Sequence, residues 1–265
     1  AIKAKEHGVS YIGISLDGMR EVNDQFRGVK GAFDKALKGI YNCQKAGQKV
    51  GLRFTINKYN YKEIDNIFRL IDQENIPRVC FYHLVYSGRG EGLKEYELDH
   101  QKKREVIDKI IEWTRYFIDK GNPKEILTVD NHSDGPYLYM KMLKNNSKKA
   151  EKIYQLLSLS GGNRSGIAIA NIDHRGDVHP DQFTNDVNLG NIMDNSFSEI
   201  WENSDNSLLK RLRDRKNHLK GRCGECKFLD LCNGNFRARA NSVTGDFWAS
   251  DPGCYLTDEE IGVDK

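Results

Sequence analysis

Two periodicities alternate through the first part of the chain. Residues 9–15 form a short apolar run that ends in Ser15, Leu16, Asp17 and Gly18, the pattern of a buried strand running into a turn. From Gly31 the apolar positions Phe33, Ala36, Leu37 and Ile40 recur at three and four, which predicts a helix that Gly47 stops. Residues 50–56 then predict a strand, and Ile64, Ile67, Phe68 and Ile71 a second helix ending before Pro77. Residues 78–85 predict a third strand; Val106, Ile107, Ile110, Ile111 and Phe117 mark a longer helix, and residues 125–130 a fourth strand. Strand and helix in strict alternation predict parallel crossover units, and in such folds the working groups sit at the carboxyl ends of the strands. Ser15 with Asp17, Thr55 with Asn57, Ser87 with Arg89, and Asp130 with His132 are therefore expected to line one mouth.

The pattern changes after residue 130. A lysine-rich helix is expected over 141–157, and the Ser/Gly-rich stretch 158–165 is the best boundary in the chain. Domains are accordingly drawn at 1–160 and 161–265. Residues 167–172 and 178–183 face each other across a turn at Gly176, a predicted hairpin. The basic run 210–216 reads as a solvated helix face. Residues 1–8 look like the tail of a helix stopped by Gly8, so the chain is expected to start in mid-domain.

Composition narrows the class. Of 265 residues, 41 are basic and 38 acidic, for a net charge of +3, too balanced for a nucleic-acid binder that works by bulk electrostatics. No apolar run approaches membrane-spanning length and no signal-peptide pattern opens the chain, so a cytoplasmic place and no membrane partner are expected. Of six cysteines, Cys223, Cys226 and Cys232 lie within ten residues and Cys254 follows in a loop. That spacing reads as a metal site. An iron–sulfur cube, a tetrahedral zinc and a disulfide or free-thiol arrangement all remain open; the lone Cys232 and Cys254 and the arginine-rich link 233–240 favour the cube. Cys43 and Cys80 are expected to be buried packing residues.

At this point the residues resemble a known family. Ile14-Ser15-Leu16-Asp17-Gly18, followed by Arg27, Gly28, Gly31 and Phe33, is similar to the fourth strand and following loop of radical S-adenosylmethionine enzymes. The cysteines 223, 226, 232 and 254, preceded by the stretches 176–180 and 189–191, resemble the C-terminal auxiliary-cluster domain called SPASM or, shortened, twitch. Residues 80–90 together with 251–256 most resemble the NirJ and AhbC proteins of haem and haem d1 synthesis. The family's CxxxCxxC motif, which holds the radical-generating cluster, is not in this chain. The resemblance implies an α/β fold, the later part of a (β/α) barrel without its first strands plus a small α+β auxiliary-cluster domain, and a chain that does not generate a radical as it stands. Asp181 stands where many such domains place a cysteine for a second auxiliary cluster, so one auxiliary cluster is expected.

The resemblance also implies roles. In the intact protein a cluster-bound S-adenosylmethionine supplies a hydrogen-abstracting radical, and the substrate is a siroheme-derived iron tetrapyrrole losing side chains, the acetates of didecarboxysiroheme first, or propionates on the haem d1 branch. Cys223, Cys226, Cys232 and Cys254 would hold one 4Fe–4S cluster. Ser15, Asp17, Arg27, Leu84 and Val85 would contact S-adenosylmethionine, and Arg53, Arg78 and Arg89 the substrate carboxylates, since guanidinium pairs carboxylate bidentately. His132 is the candidate catalytic group, and an external electron donor is an expected partner. Two other readings stand beside this one: a peptide maturase of the same family, and a non-catalytic zinc-binding partner module.

Overall fold

Apolar alternation builds a parallel sheet. The computed structural model describes residues 1–145, 147–202 and 205–263, with the side chains of Arg89, Glu91 and Ser147 outside the description. It divides into two compact units, Ala1–Leu84 with Glu95–Asp130, and Val85–Lys94 with Asn131–Lys265. The first unit runs α1 (Ile2–Glu6), β1 (Ile12–Ser15), α2 (Arg20–Arg27), α3 (Ala32–Lys45), β2 (Val50–Thr55), α4 (Ile64–Gln73), β3 (Arg78–Tyr82), α5 (His100–Asp119) and β4 (Glu125–Val129). The strands lie in the order β1-β2-β3-β4, every neighbour parallel, with Ile14 beside Leu52, Leu52 beside Val79 and Val79 beside Ile126.

Period two decides the faces. Leu52, Phe54, Val79 and Phe81 share one face and are fully buried. The helix stripes read from the sequence supply the buried residues Phe33, Ile40, Ile64, Phe68, Ile110 and Phe117. Phe68 bridges the layers, 5.2 Å from the Phe81 ring and stacked 5.4 Å from Trp113. The other face carries exposed Arg53, half-buried Arg78 and Tyr82, and buried Cys80, which packs as expected. Helix ends follow local chemistry: the Asp99 carboxylate accepts from the Lys102 N–H at 2.8 Å to cap α5, and Gly28 closes α2 in the left-handed conformation.

The second unit contains α6 (Asp134–Asn145), α7 (Ser147–Ser160), the short antiparallel pair β5 (Asn171–Ile172) and β6 (Val178–His179), then α8 (Phe197–Glu202), α9 (Ser207–Arg213), α10 (Gly221–Gly224), α11 (Leu229–Cys232), α12 (Arg237–Thr244) and α13 (Asp258–Ile261). The helix expected over 141–157 is two helices, and α6 starts well before that span. Pro136 is tolerated in the first turn of α6, where its missing N–H has no intrahelical partner to lose. Both helices pack against α11, so the compact unit takes in residues from Asn131 onward, ahead of the boundary drawn at 160/161.

Apolar clusters here are small: Val178, Leu189, Ile200 and Leu209 form one, Val85, Phe236 and Ala238 another. Arg215, Arg237 and Arg239 are buried in this unit as well. Arg215, expected on a solvated face, is 1% exposed and donates to the Asn163 Oδ1 at 2.7 Å, the Leu212 carbonyl at 3.1 Å and the Ser165 carbonyl. Charge along the run 210–216 hides this, because Arg215 lies past the end of α9 in a 3-10 turn, off the helix face. No helix among the described residues is long and apolar enough to cross a membrane.

Candidate metal centre and cofactor-binding residues

One-turn helices set the first three thiols. Cys223 sits in α10, Cys226 just after it, and Cys232 ends α11, where Asn233 takes the left-handed conformation that turns the chain. Cys254 comes from the loop before α13. All four thiols line one cavity, whose remaining wall includes Pro136, Phe228, Leu256 and Ile261. Among the described residues no three ligand side chains converge closely enough to hold a single metal ion. The sulfurs are spread round a cavity instead.

Its electrostatics oppose free thiolates. Burial pushes the Cys232 thiol well above its ordinary value, with the neighbouring Cys254, Cys223 and Cys226 adding to the shift. Burial lifts Cys254 to about 12, against the Leu256 N–H and Arg222, and it raises Cys226 as well. The Phe228 N–H donates to the Cys226 sulfur at 3.4 Å. Apolar walls, four thiols round one cavity and backbone donors aimed at sulfur suit a cationic cluster that takes thiolate ligands. The arginines of the link 233–240 serve otherwise than expected: Arg237 donates to the carbonyls of Phe247 at 3.2 Å, Ala249 at 2.6 Å and Gly234, and Arg239 pairs with Asp251.

In the first unit the residues expected at the strand ends gather round Asp17. Its buried carboxylate accepts from the Thr55 N–H at 2.7 Å and pairs with Arg27, which is 38% exposed. Burial raises the Asp17 carboxyl, with Thr55 and Arg27 opposing. Asn60 ties the site together, donating to the Asp17 carbonyl at 3.0 Å and the Thr55 carbonyl at 2.8 Å while accepting from the Asn57 N–H at 2.9 Å. Sequence reasoning missed Asn60, since nothing in its local pattern separates it from a loop amide. Ser15 is exposed and Leu84 buried.

The cationic candidates separate. Arg53 lies over Gly13, where an added Cβ would stand 2.3 Å from its Nε. Arg78 meets Glu125 at 3.2 Å and the Tyr11 ring at 4.5 Å. Its Nε and the Tyr11 hydroxyl are buried without a hydrogen-bond partner among the described residues. The Arg89 side chain lies outside the described residues. Val85, Ser87 and His132 belong to the second unit, where Val85 packs on Phe236 and Ala238. His132 stacks on Phe236 at 5.8 Å, and its backbone N–H donates to Asn235 Oδ1 at 2.8 Å. Burial, then Arg239 and Arg215, pull the imidazole down to about 4 against Asp134. At neutral pH it is an uncharged ring.

Residues 166–227 match the SPASM family model, described as an iron-sulfur cluster-binding domain. The Fe-coproporphyrin III synthase of Methanosarcina barkeri is 54% identical over 99% of this chain and 66% of its own length, and the pre-heme d1 synthase of Dinoroseobacter shibae 41% over 99% and 65%. The AdoMet-dependent heme synthase of Methanosarcina barkeri is 30% identical over 95% of this chain and 69% of its own length. The chain belongs to the radical S-adenosylmethionine enzymes with a C-terminal SPASM domain. It spans about two thirds of the first two relatives. The solved structure of native anSMEcpe with bound AdoMet shares the fold, with a TM-score of 0.65 at 17% identity over 95% of this chain and 65% of that one. The cofactors of this radical S-adenosylmethionine family are a 4Fe–4S auxiliary cluster in the SPASM domain and S-adenosylmethionine with a second 4Fe–4S cluster. The thiol-lined cavity fits the first of these in donor chemistry.

Proposed function

We propose that this radical S-adenosylmethionine chain serves tetrapyrrole biosynthesis by removing acetate side chains from a siroheme-derived iron tetrapyrrole, didecarboxysiroheme being the substrate that fits best. The observation that carries the reading is the 54% identity, over 265 residues, to a protein named for Fe-coproporphyrin III. The 41% identity to a pre-heme d1 synthase supports the runner-up, removal of propionates. A peptide maturase of the same family is the third reading, since the fold by itself does not choose the substrate.

Residue roles follow in this reading. Cys223, Cys226, Cys232 and Cys254 hold the auxiliary cluster, residues 161–265 being the SPASM domain and 1–160 the barrel part. S-adenosylmethionine and its own cluster, when bound, supply abstraction of a hydrogen atom from an unreactive carbon. Arg27, fixed by Asp17 and still partly exposed, offers its remaining N–H groups to the methionine carboxylate; Ser15 takes a polar group, Leu84 and Val85 the adenine. Arg53, Arg78 and Arg89 pair substrate carboxylates, and His132 acts as a neutral hydrogen-bonding group or base. Electrons come from an external donor, and the setting is the cytoplasm.

The test uses this chain purified without oxygen. It should carry about four irons and four sulfides with a broad band that dithionite bleaches. It should also shift the absorbance of added iron coproporphyrin III, and Arg53→Ala with Arg78→Ala should weaken that binding about tenfold or more. One zinc and no visible band would leave the partner-module reading; a cluster with no tetrapyrrole binding would leave the maturase reading.

A further inference from the structure

Cys254 lies in a stretch with no regular secondary structure, yet the residues before and after it are fastened. The Asp251 carboxylate is buried and takes four donors: Arg239 Nε at 2.8 Å and Nη2 at 2.9 Å, the Phe236 N–H at 2.9 Å and the Gly253 N–H at 2.7 Å. The Gly253 carbonyl accepts from Asn131 Nδ2 at 3.0 Å, and the Tyr255 hydroxyl donates to Asp134 Oδ1 at 2.7 Å. Asn131 Oδ1 accepts from Asn235 Nδ2 at 2.7 Å, just past Cys232. Segment 131–134 thus ties together the loops that carry two of the thiols.

Gly253 completes the fit. A Cβ there would stand 2.3 Å from Arg239 Nε and 2.4 Å from its Cζ, so the guanidinium lies flat on the backbone of the residue before Cys254. A buried ion pair adds little net stability over an apolar pair of similar size, because desolvation offsets the attraction. What such a pair does well is fix geometry, since its donors and acceptors accept few other arrangements. Its place beside a ligand loop, with every carboxylate lone pair directed, asks for a geometric purpose.

We propose that the Arg239–Asp251 pair, with Gly253 and the segment 131–134, is a positioning device that presets Cys254 in the ring of thiols, so that the cluster enters a cage formed before it arrives. This rests on the reading of the four cysteines as cluster ligands. It contrasts with small metal domains that fold only round their metal. Arg239 and Asp251 act in this proposal through the loop that carries Cys254, as positioning residues.

The test compares the whole chain with its Gly253→Ala and Arg239→Lys variants, metal-free and after reconstitution. In metal-free wild type, iodoacetamide should label Cys254 slowly, and both variants should raise that rate about tenfold or more while far-UV circular dichroism stays unchanged. After reconstitution the variants should bind iron about ten- to a hundredfold more weakly and show the paramagnetic signal of a three-iron cluster, the mark of a lost fourth ligand. Variants that melt earlier but keep slow Cys254 labelling and a full four-iron spectrum would overturn the proposal, leaving the pair as a fold staple. Asn131→Ala removes the Gly253 carbonyl's donor without stranding a charge, and decides the matter where a charge variant fails to fold. Should the wild type take up zinc and no sulfide, the cluster reading fails, while the Cys254 labelling contrast still decides this inference.

Discussion

Cys232 and Cys254 are held protonated by the same burial that makes their cavity fit for a cluster. In the metal-free chain they are inert thiols, and in the proposed reading they become cluster ligands when metal is supplied. Cys254→Ser and Cys232→Ser should each abolish or alter the visible band after reconstitution, whereas Cys43→Ser should leave it intact; elemental analysis and absorbance check this. His132 gives a pH signature. Its folded pKa of about 4 lies below the ordinary 6.5, so the folded state favours the neutral ring. That stability is present above about pH 6.5 and is lost as pH falls toward 4, by about 3 kcal/mol in all. Urea titrations at a series of pH values should show the loss, and His132→Gln should flatten that part of the curve.

At the scale of elements, periodicity was a good guide where an element buries a stripe and a poor one where it does not. Strands β1 to β4 and helices α3, α4 and α5 sit where apolar spacing placed them, because burial against the sheet is what makes those segments regular. Phe68→Ala in α4 should cost about 3–5 kcal/mol by opening a cavity under Phe81 and Trp113, read as a lower denaturation midpoint. Asp99→Ala should cost about 1 kcal/mol through the lost cap of α5. The short helices α10 and α11 carry little stripe to read, and their order comes from the loops they hold.

For the molecule as a whole, a preformed cage separates metal binding from folding. Removing the metal should lower the melting temperature of the chain, since binding stabilises the native state by mass action, yet leave its far-UV circular dichroism unchanged. Loss of the helical signal on chelation would show that the SPASM unit folds round its cluster.

Sequence alone determined the parallel α/β order, the cluster-like set of four cysteines and the family resemblance, because strand period, helix period and ligand spacing are local and repeat along the chain. Buried Cys43 and Cys80 were legible for the same reason. The tertiary structure decided what each charge is for. Arg215 reads as a surface cation in the sequence, and Arg237 and Arg239 as cations favouring a cluster; all three are among the largest fully buried side chains. Asp251 sits below the ordinary carboxylate range because Arg239, Arg237 and the Gly253 N–H together outweigh its burial. Asn60 and Asn131 join segments far apart in the chain, and no local pattern marks them. Partners of this kind are set by which distant atoms meet, and only the folded chain brings them within hydrogen-bonding reach.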